Sequence, residues 1–130
     1  MTQTIAALMH PGVQTVGMDD SIAAVESFLT GQGRTWAPVT DDRGTVIGAI
    51  SASDLLLFHA QQRDAQTVRA WQLCSYKPVV VGPQASLAEV AQQMMQRQIH
   101  HVVVADGAQV LGVASALDFV ALHARGGGSA

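Results

Sequence analysis

Two carboxylates occur in the same short pattern, once in each half of the chain. Asp54 lies three residues after Ser51, and Asp118 lies three residues after Ser115. A Ser followed three residues later by an acid is typical of a helix start, where the hydroxyl caps free amides and the helix dipole stabilises the acid. Because the same amides attract phosphate, Ser51 and Ser115 are candidates for an anion site as well as for caps.

The other reactive side chains do not form a catalytic or metal-binding set. His100 and His101 are adjacent in a β-rich run, so their side chains should point to opposite faces of a strand and cannot easily share one ion. Cys74 is the single cysteine, which excludes an internal disulfide and favours a small core residue over a nucleophile. We therefore predict no metal site, no catalytic residues and no enzyme.

The bulk composition indicates one ordinary domain. The chain has 130 residues, of which 48% are hydrophobic, and a formal net charge of −3. Without a run of Lys or Arg it lacks the basic surface that nucleic acid or an anionic membrane requires. The start of the chain lacks a signal-peptide pattern, and no segment approaches the ~20 apolar residues of a membrane span. We expect a soluble cytoplasmic protein whose Gly-rich residues 126–130 form a flexible tail.

The chain repeats itself, and the repeat determines where the two acids must lie. A shift of 65 positions aligns the first half with the second up to Asp41, and a shift of 64 aligns the remainder. A one-residue change inside a turn is what a duplication tolerates, because loops absorb length changes that paired strands cannot. The sequence therefore predicts copies at residues 1–62 and 63–125. Aligned pairs include Leu8 with Leu73, Val16 with Val81, Ser21 with Ser86, Val39 with Val104, Gly48 with Gly112, Asp54 with Asp118 and His59 with His123.

Each copy carries the signals of the order β-α-β-β-α, an α+β fold. Helix caps, helical apolar spacing and β-rich runs around turn residues recur in the same order. Because a copy of about sixty residues cannot bury a small sheet alone, we expect the copies to pack sheet against sheet with pseudo-twofold symmetry. The predicted strands are Val13–Val16, Trp36–Thr40 and Thr45–Ile50 in the first copy, and Val79–Val81, Val102–Val104 and Val110–Ala114 in the second.

Capping residues locate the predicted helices. Ser86 and Glu89 are spaced as a capping box, and Ser21 caps the matching helix of the first copy. Gly33 offers that helix a left-handed exit. The last helix of each copy begins near Ser51 or Ser115. The polar segment from His59 to Leu73 is read either as a continuation of the first copy's last helix or as a link to the second copy.

The two strand-to-helix junctions, Gly48–Asp54 and Gly112–Asp118, resemble the signature of the cystathionine β-synthase (CBS) domain. In that signature a Gly ends a strand, a hydroxyl residue caps the last helix, and an Asp lies in the helix's first turn. The strand starts Ala37–Val39 and Ile99–Val104 are also similar to those of the family. Since the pattern occurs twice at consistent offsets, the chain resembles a CBS pair, also called a Bateman module, over all but its tail.

This resemblance implies a regulatory module that senses a small ligand in clefts between the copies. The implied ligands are adenine nucleotides or related adenosyl compounds, such as AMP, ADP, ATP, NAD or S-adenosylmethionine, with no cofactor required. It also implies a homodimer and an unidentified regulated protein. The implied ligand contacts are Asp54 and Asp118 to ribose, Ser51, Ser115, His100, His101, Arg34 and Arg97 to phosphate, and Val13, Pro78, Val79 and Val102 to the base.

A second hypothesis belongs to another functional class. In the first copy the positions that match His100 and His101 are Thr35 and Trp36, which carry no charge. This difference, together with the small residues at both junctions, fits a structural dimerisation module whose ligand pockets are vestigial.

Overall fold

A computed structural model describes residues 3–12, 14–76 and 78–124. The chain divides into two compact units, the first-repeat unit of residues 14–78 and the second-repeat unit of residues 1–13 with 79–130. The N-terminal segment therefore belongs with the second repeat, although it precedes the first in sequence. In chain order the elements are a 3₁₀ helix (Ile5–Ala7), β1 (His10–Pro11), β2 (Val16–Gly17), α1 (Ile22–Gln32), β3 (Trp36–Thr40), β4 (Val46–Ser51), α2 (Ala52–Ala60), α3 (Ala70–Leu73), β5 (Val80–Val81), α4 (Leu87–Arg97), β6 (His101–Asp106), β7 (Gln109–Ser115) and α5 (Ala116–Ala124).

The first-repeat unit contains a three-stranded sheet in the order β2-β3-β4. β2 runs parallel to β3, and β3 and β4 form the predicted antiparallel hairpin. Asp41 closes the turn by accepting hydrogen bonds from the amides of Arg43 and Thr45. The buried residues of α1 and α2 pack with the buried strand residues into one apolar cluster, which includes Ile22, Val25, Val39, Ile50 and Phe58.

The second-repeat unit contains a four-stranded sheet in the order β1-β7-β6-β5. Its parallel β5–β6 pair and antiparallel β6–β7 hairpin match the first-repeat unit, and the register shift after Val39 recurs after Val104. The two sheets with their helices confirm the predicted α+β order in each copy. The apolar cluster of this unit includes Ile5, Val81, Val90, Val102 and Val104.

Helix caps confirm most of the predicted boundaries. The Ser21 hydroxyl accepts from the Ala24 amide, and α1 ends at Gly33 in the left-handed region. The Ser86 hydroxyl accepts from the Glu89 amide, but the return bond of the predicted capping box is missing between these two described residues. The helix start is instead paired with the N-terminal segment, because Thr4 forms a β-bridge with Ser86.

Two sequence predictions differ from the structure. The helix after Ser51 does not continue into the polar link, because α2 ends at Ala60 and Gln62 has a positive φ of 57°. The leading strands are shorter than predicted, with β2 at Val16–Gly17 and β5 at Val80–Val81. Val13, the predicted start of the first strand, lies outside the described residues.

Each sheet is completed by a short segment that comes before the leading strand of a repeat. Ser75 forms a β-bridge with Ala49 in the first-repeat unit. In the second-repeat unit β1 pairs with β7, and His10 lies opposite Val113. The two arrangements are equivalent, because the shift of 65 positions takes His10 to Ser75.

This pairing explains the glycine within each signature strand, Gly48 inside β4 and Gly112 inside β7. A Cβ atom added to Gly48 would overlap the Ser75 carbonyl oxygen, and one added to Gly112 would lie 2.6 Å from the His10 carbonyl oxygen. Backbone atoms cannot move aside as a flexible side chain can. Only glycine therefore lets the Ser75 segment approach β4, and the His10 segment approach β7, closely enough to pair.

Substituting either glycine tests this constraint. We expect Gly48→Ala and Gly112→Ala each to lower the free energy of unfolding by about 1–3 kcal/mol, since the added methyl forces backbone displacement. Gly31→Ala is the matched control, because nothing lies within 4 Å of its Cβ position and alanine favours a helix by about 0.5–1 kcal/mol. Urea unfolding measures all three variants, and a stability of Gly48→Ala equal to that of Gly31→Ala would contradict the prediction.

Candidate functional site

The first junction lies where β4 leads into α2 and is organised by a complete capping box. The Ser51 hydroxyl accepts from the Asp54 amide at 3.3 Å, and the Ser51 amide donates to Asp54 Oδ2 at 2.9 Å. The Ser51 hydroxyl also lies 3.0 Å from the same oxygen. Both residues are half-buried. The cap therefore uses Oδ2, while Oδ1 of Asp54 accepts no hydrogen bond from the described residues.

The second junction, where β7 leads into α5, repeats the same geometry and adds one contact. The Ser115 amide donates to Asp118 Oδ2 at 2.7 Å, and the Ser115 hydroxyl lies 3.1 Å from that oxygen. The other carboxylate oxygen, Oδ1, lies 2.7 Å from Nε2 of His10. The His10 side chain is 66% exposed and the Asp118 side chain 19% exposed. One oxygen of this acid serves the cap, and the other binds a side chain from outside the helix.

The charge of Asp118 depends on these contacts. Burial raises the pKa of the carboxyl group, but the hydrogen bonds from His10 and from the Ser115 amide and hydroxyl together outweigh burial. The pKa of Asp118 consequently lies below its ordinary value of 3.8. The acid is ionised near neutral pH and remains a strong hydrogen-bond acceptor.

The predicted basic residues of the second repeat lie beside its junction. His101 is the register partner of Ser115 across β6 and β7, and the His100 carbonyl accepts from the Ala116 amide at 2.9 Å. His100 is exposed and His101 is half-buried. The fold therefore brings both histidines to the start of α5, as an anion site would require.

The matching positions of the first repeat carry no such charge. Trp36 is the register partner of Ser51, and the Thr35 carbonyl accepts from the Ala52 amide at 2.8 Å. Arg34 precedes Thr35 and is half-buried, and desolvation lowers the pKa of its guanidinium. The two junctions share a backbone design but differ in the side chains around it.

The remaining predicted contacts are less closely associated with the junctions. Arg97 is the last residue of α4 and is exposed. Val79 and Val102 are 7% and 0% exposed and belong to the apolar cluster of the second-repeat unit. Pro78 is half-buried, and Val13 lies outside the described residues. Roles for these residues in holding a base or a phosphate stay predictions.

Sequence reasoning missed His10 and Ser75 at the two junctions. His10 is 108 positions away from Asp118 in sequence, so no local pattern links them. A signal was present, because the alignment of Leu8 with Leu73 extends the repeat upstream of the leading strands. That extension places His10 and Ser75 at equivalent positions.

Other reactive groups in the described part of the chain do not form a second site. Cys74 is buried beneath β4, and burial raises the pKa of its thiol. Within residues 3–12, 14–76 and 78–124, no group of three or more His, Cys, Asp or Glu residues could hold a metal ion. No helix found over the same ranges has the length and apolar character needed to cross a membrane.

A comparison with known families accounts for the repeated junction. The CBS domain model matches residues 5–60 and 70–124. The chain belongs to the CBS domain family. As two tandem copies it is a CBS pair, a kind of module that is generally regulatory and ligand-binding and typically lacks catalytic activity. No curated protein matches the chain.

Solved structures share the fold of this CBS pair at low sequence identity. Hypoxic Response Protein I, described with two coordinated zinc ions, is 22% identical with a TM-score of 0.82 and coverages of 92% of this chain and 98% of that one. A putative acetoin utilization protein from Vibrio cholerae is 19% identical with a TM-score of 0.84, covering 96% and 93%. The hexameric CBS-CP12 protein from bloom-forming cyanobacteria is 21% identical with a TM-score of 0.82, covering 92% and 71%.

The lowered pKa of Asp118 predicts how acid affects stability. The folded state binds this proton less tightly than the unfolded state, so the stabilisation is complete above the ordinary pKa of 3.8 and disappears as pH falls through the lower folded value. We expect Asp118→Asn to cost about 1 kcal/mol at pH 7, a typical capping loss, and the difference from wild type to shrink below pH ~4.

Denaturant unfolding between pH 3 and pH 7 measures this difference. The matched control is Asp42→Asn, which replaces an exposed acid in the first hairpin turn. A gap between wild type and Asp118→Asn that stays constant across the pH range would show that the Asp118 carboxylate is not stabilised by its contacts.

Proposed function

We propose that this CBS pair is a regulatory module that senses an adenosyl ligand at its two strand-to-helix junctions. The observation that carries the proposal is that the two carboxylate oxygens of each aspartate have separate roles. Oδ2 serves the capping box in both repeats, which leaves Oδ1 for a donor from outside the helix. A ribose diol supplies two adjacent hydroxyl donors of the kind that an ionised carboxylate binds strongly.

The His10 contact supports this use of Oδ1. The imidazole reaches Asp118 Oδ1 at 2.7 Å from a different part of the chain. The oxygen is therefore accessible to an external donor at hydrogen-bonding distance while the cap remains intact. At Asp54 the same oxygen accepts nothing from the described residues, so among these residues a ribose hydroxyl would have no competing donor there.

The surroundings of each junction fit a phosphate next to the ribose. α2 and α5 begin at these junctions, and the positive end of each helix dipole favours an anion. The Ala52 and Ala116 amides already donate to the carbonyls of Thr35 and His100, so the dipole and the nearby side chains carry this argument. Ser51 and Ser115 supply hydroxyl groups at the same place. His100 and His101 flank the start of α5. The matching residues near the start of α2, Thr35 and Trp36, carry no charge, and Arg34 is the nearest cation to them in sequence. Candidate ligands are AMP, ADP, ATP, NAD and S-adenosylmethionine, none of them required for folding.

Ligand-induced stabilisation tests the sensing function. We expect at least one of these five compounds to raise the Tm of the wild type, since binding only to the folded state stabilises it by about 2.7 kcal/mol at a ligand concentration of 100 Kd. The double variant Asp54→Asn with Asp118→Asn should lose the shift, because an amide cannot replace both acceptor oxygens of a carboxylate. Differential scanning fluorimetry measures both proteins.

The control for this test is Asp42→Asn, which removes the same charge away from both junctions. It should retain the full ligand-induced shift. If none of the five compounds stabilises the wild type, or if the double variant responds as the wild type does, the proposed sensing function is wrong.

A second candidate function, dimerisation, is favoured by an apolar groove in the second-repeat unit. The groove has a volume of about 480 Å³ and is lined mainly by α4 and α5. Met95 and Val120 line it and are 78% and 59% exposed, and Leu117 of α5 is 71% exposed. In the first-repeat unit the residue that matches Ala91 of the groove is Glu26, whose carboxylate lies 2.5 Å from Nε2 of His59. We propose that the groove binds a second copy of this chain.

Charge placed in the groove tests the dimer. We expect Met95→Glu and Val120→Glu to convert a dimer into a monomer, since an apolar interface does not tolerate an unpaired carboxylate. Gln92→Glu adds the same charge to another exposed position of α4 and should leave the dimer intact. Size-exclusion chromatography with light scattering gives the mass. A monomeric wild type, or dimeric Met95→Glu and Val120→Glu variants, would contradict this assembly.

A further inference from the structure

Besides the differences at Thr35 and Trp36, the two junctions of this chain differ at a position in the segment that completes each sheet. In the second-repeat unit His10 donates to Asp118 Oδ1, the oxygen that the proposed function assigns to a ribose hydroxyl. In the first-repeat unit the equivalent residue is Ser75, which makes no hydrogen bond to Asp54 in the described structure. The difference lies in the segment that completes each sheet.

We propose that His10 is an internal competitor for the Asp118 site, so that a ligand must displace its imidazole before it can bind there. This inference rests on the proposed function, because it concerns the same carboxylate oxygen. Its consequence is that the Asp118 junction binds ligand more weakly than the same junction would without the imidazole.

The backbone of His10 is held firmly while its side chain is not. β1 pairs with β7, with His10 opposite Val113 and Pro11 opposite Gly112. The preceding turn is anchored by Ile5, which is fully buried and whose amide donates to the Ala85 carbonyl at 2.8 Å. The His10 side chain, by contrast, is 66% exposed. The imidazole can therefore rotate away from Asp118 without breaking the strand pairing.

At the equivalent position the first-repeat unit carries Ser75, a residue without an imidazole. Ser75 is bridged to Ala49 and is exposed, so the segment approaches the sheet in the same way. Its side chain ends at a hydroxyl group, one bond from Cβ, and lacks the reach of an imidazole. Ser75 is therefore the natural replacement for His10, because it preserves the backbone arrangement and removes the competing donor.

The solvent exposure of the His10–Asp118 contact sets how strongly the imidazole can compete with a ligand. A ligand at Asp118 must give up the imidazole–carboxylate contact and replace it with neutral hydroxyl donors. For a solvent-accessible imidazole–carboxylate contact this loss corresponds to a dissociation constant that is roughly twofold to fivefold higher. A change of this size in the dissociation constant is large enough to measure by titration of one junction.

The test isolates one junction at a time. In an Asp54→Asn background, which leaves the Asp118 junction, we expect His10→Ser to lower the Kd for ATP or AMP about twofold to fivefold. In an Asp118→Asn background, which leaves the Asp54 junction, Ser75→His should raise the Kd by a similar factor. Isothermal titration calorimetry measures the four proteins.

A second measurement reports the contact without any ligand. NMR titration of the Asp118 carboxyl carbon should give a higher pKa in His10→Ser than in the wild type, because a hydrogen bond that lowers this pKa is lost. An unchanged Asp118 titration would show that the contact is absent in solution and would overturn the proposal.

The binding outcomes separate this inference from the proposed function. Ligand binding to the Asp54→Asn protein that is unchanged or weakened by His10→Ser would overturn the competition alone and leave the sensing function in place. Failure of every variant and of the wild type to bind ATP or AMP would overturn both for these nucleotides. Tighter binding in His10→Ser together with weaker binding in Ser75→His is the result expected.

Discussion

The rest of the structure depends on a close approach of two backbone segments in each repeat, one of them at a glycine of the signature strand. At Gly48 the Ser75 carbonyl oxygen, and at Gly112 the His10 carbonyl oxygen, lies where a side chain would otherwise stand. That approach lets each segment pair with the sheet edge, so the segment before one repeat becomes part of the other repeat's sheet. It also determines which residue lies next to each aspartate. The glycine, the added strand and the side chain at the acid are consequences of one packing requirement.

The capping box leaves one oxygen of each aspartate outside the cap. A carboxylate has two oxygens, and the helix cap at Ser51 or Ser115 uses only Oδ2. At Asp118 the remaining oxygen contacts the His10 imidazole while the cap stays intact. Capping the helix and contacting a second group are therefore compatible for the same residue.

Divergence between the copies is concentrated outside the shared backbone. Both junctions have the same strand register and the same caps, but their neighbours differ in charge and size. His10 of one copy corresponds to Ser75 of the other, and the ion-paired Glu26 corresponds to Ala91 at the apolar groove. Duplication thus preserved the backbone geometry of the junctions, while substitution changed the side chains around them.

The sequence by itself determined the repeat, the order of elements and the junction residues. These depend on local chemistry, since Ser51 and Asp54 are three residues apart and a helix start brings them together without help from the rest of the chain. The aligned second copy made the same prediction for Ser115 and Asp118. The capping box at Ser86 was only half correct, because a distant segment, Thr4, pairs with that helix start.

Only the tertiary structure decided what surrounds each acid. His10 and Asp118 are separated by 108 positions, and nothing in the periodicity of either segment shows that β1 joins β7 and not a strand of its own repeat. The burial of Val79 and Val102 likewise depends on which faces of the sheet the helices cover. Spacing along the chain determines contacts within a turn of helix or a hairpin, whereas contacts between remote segments are determined by which arrangement buries the apolar surface and satisfies the strand edges.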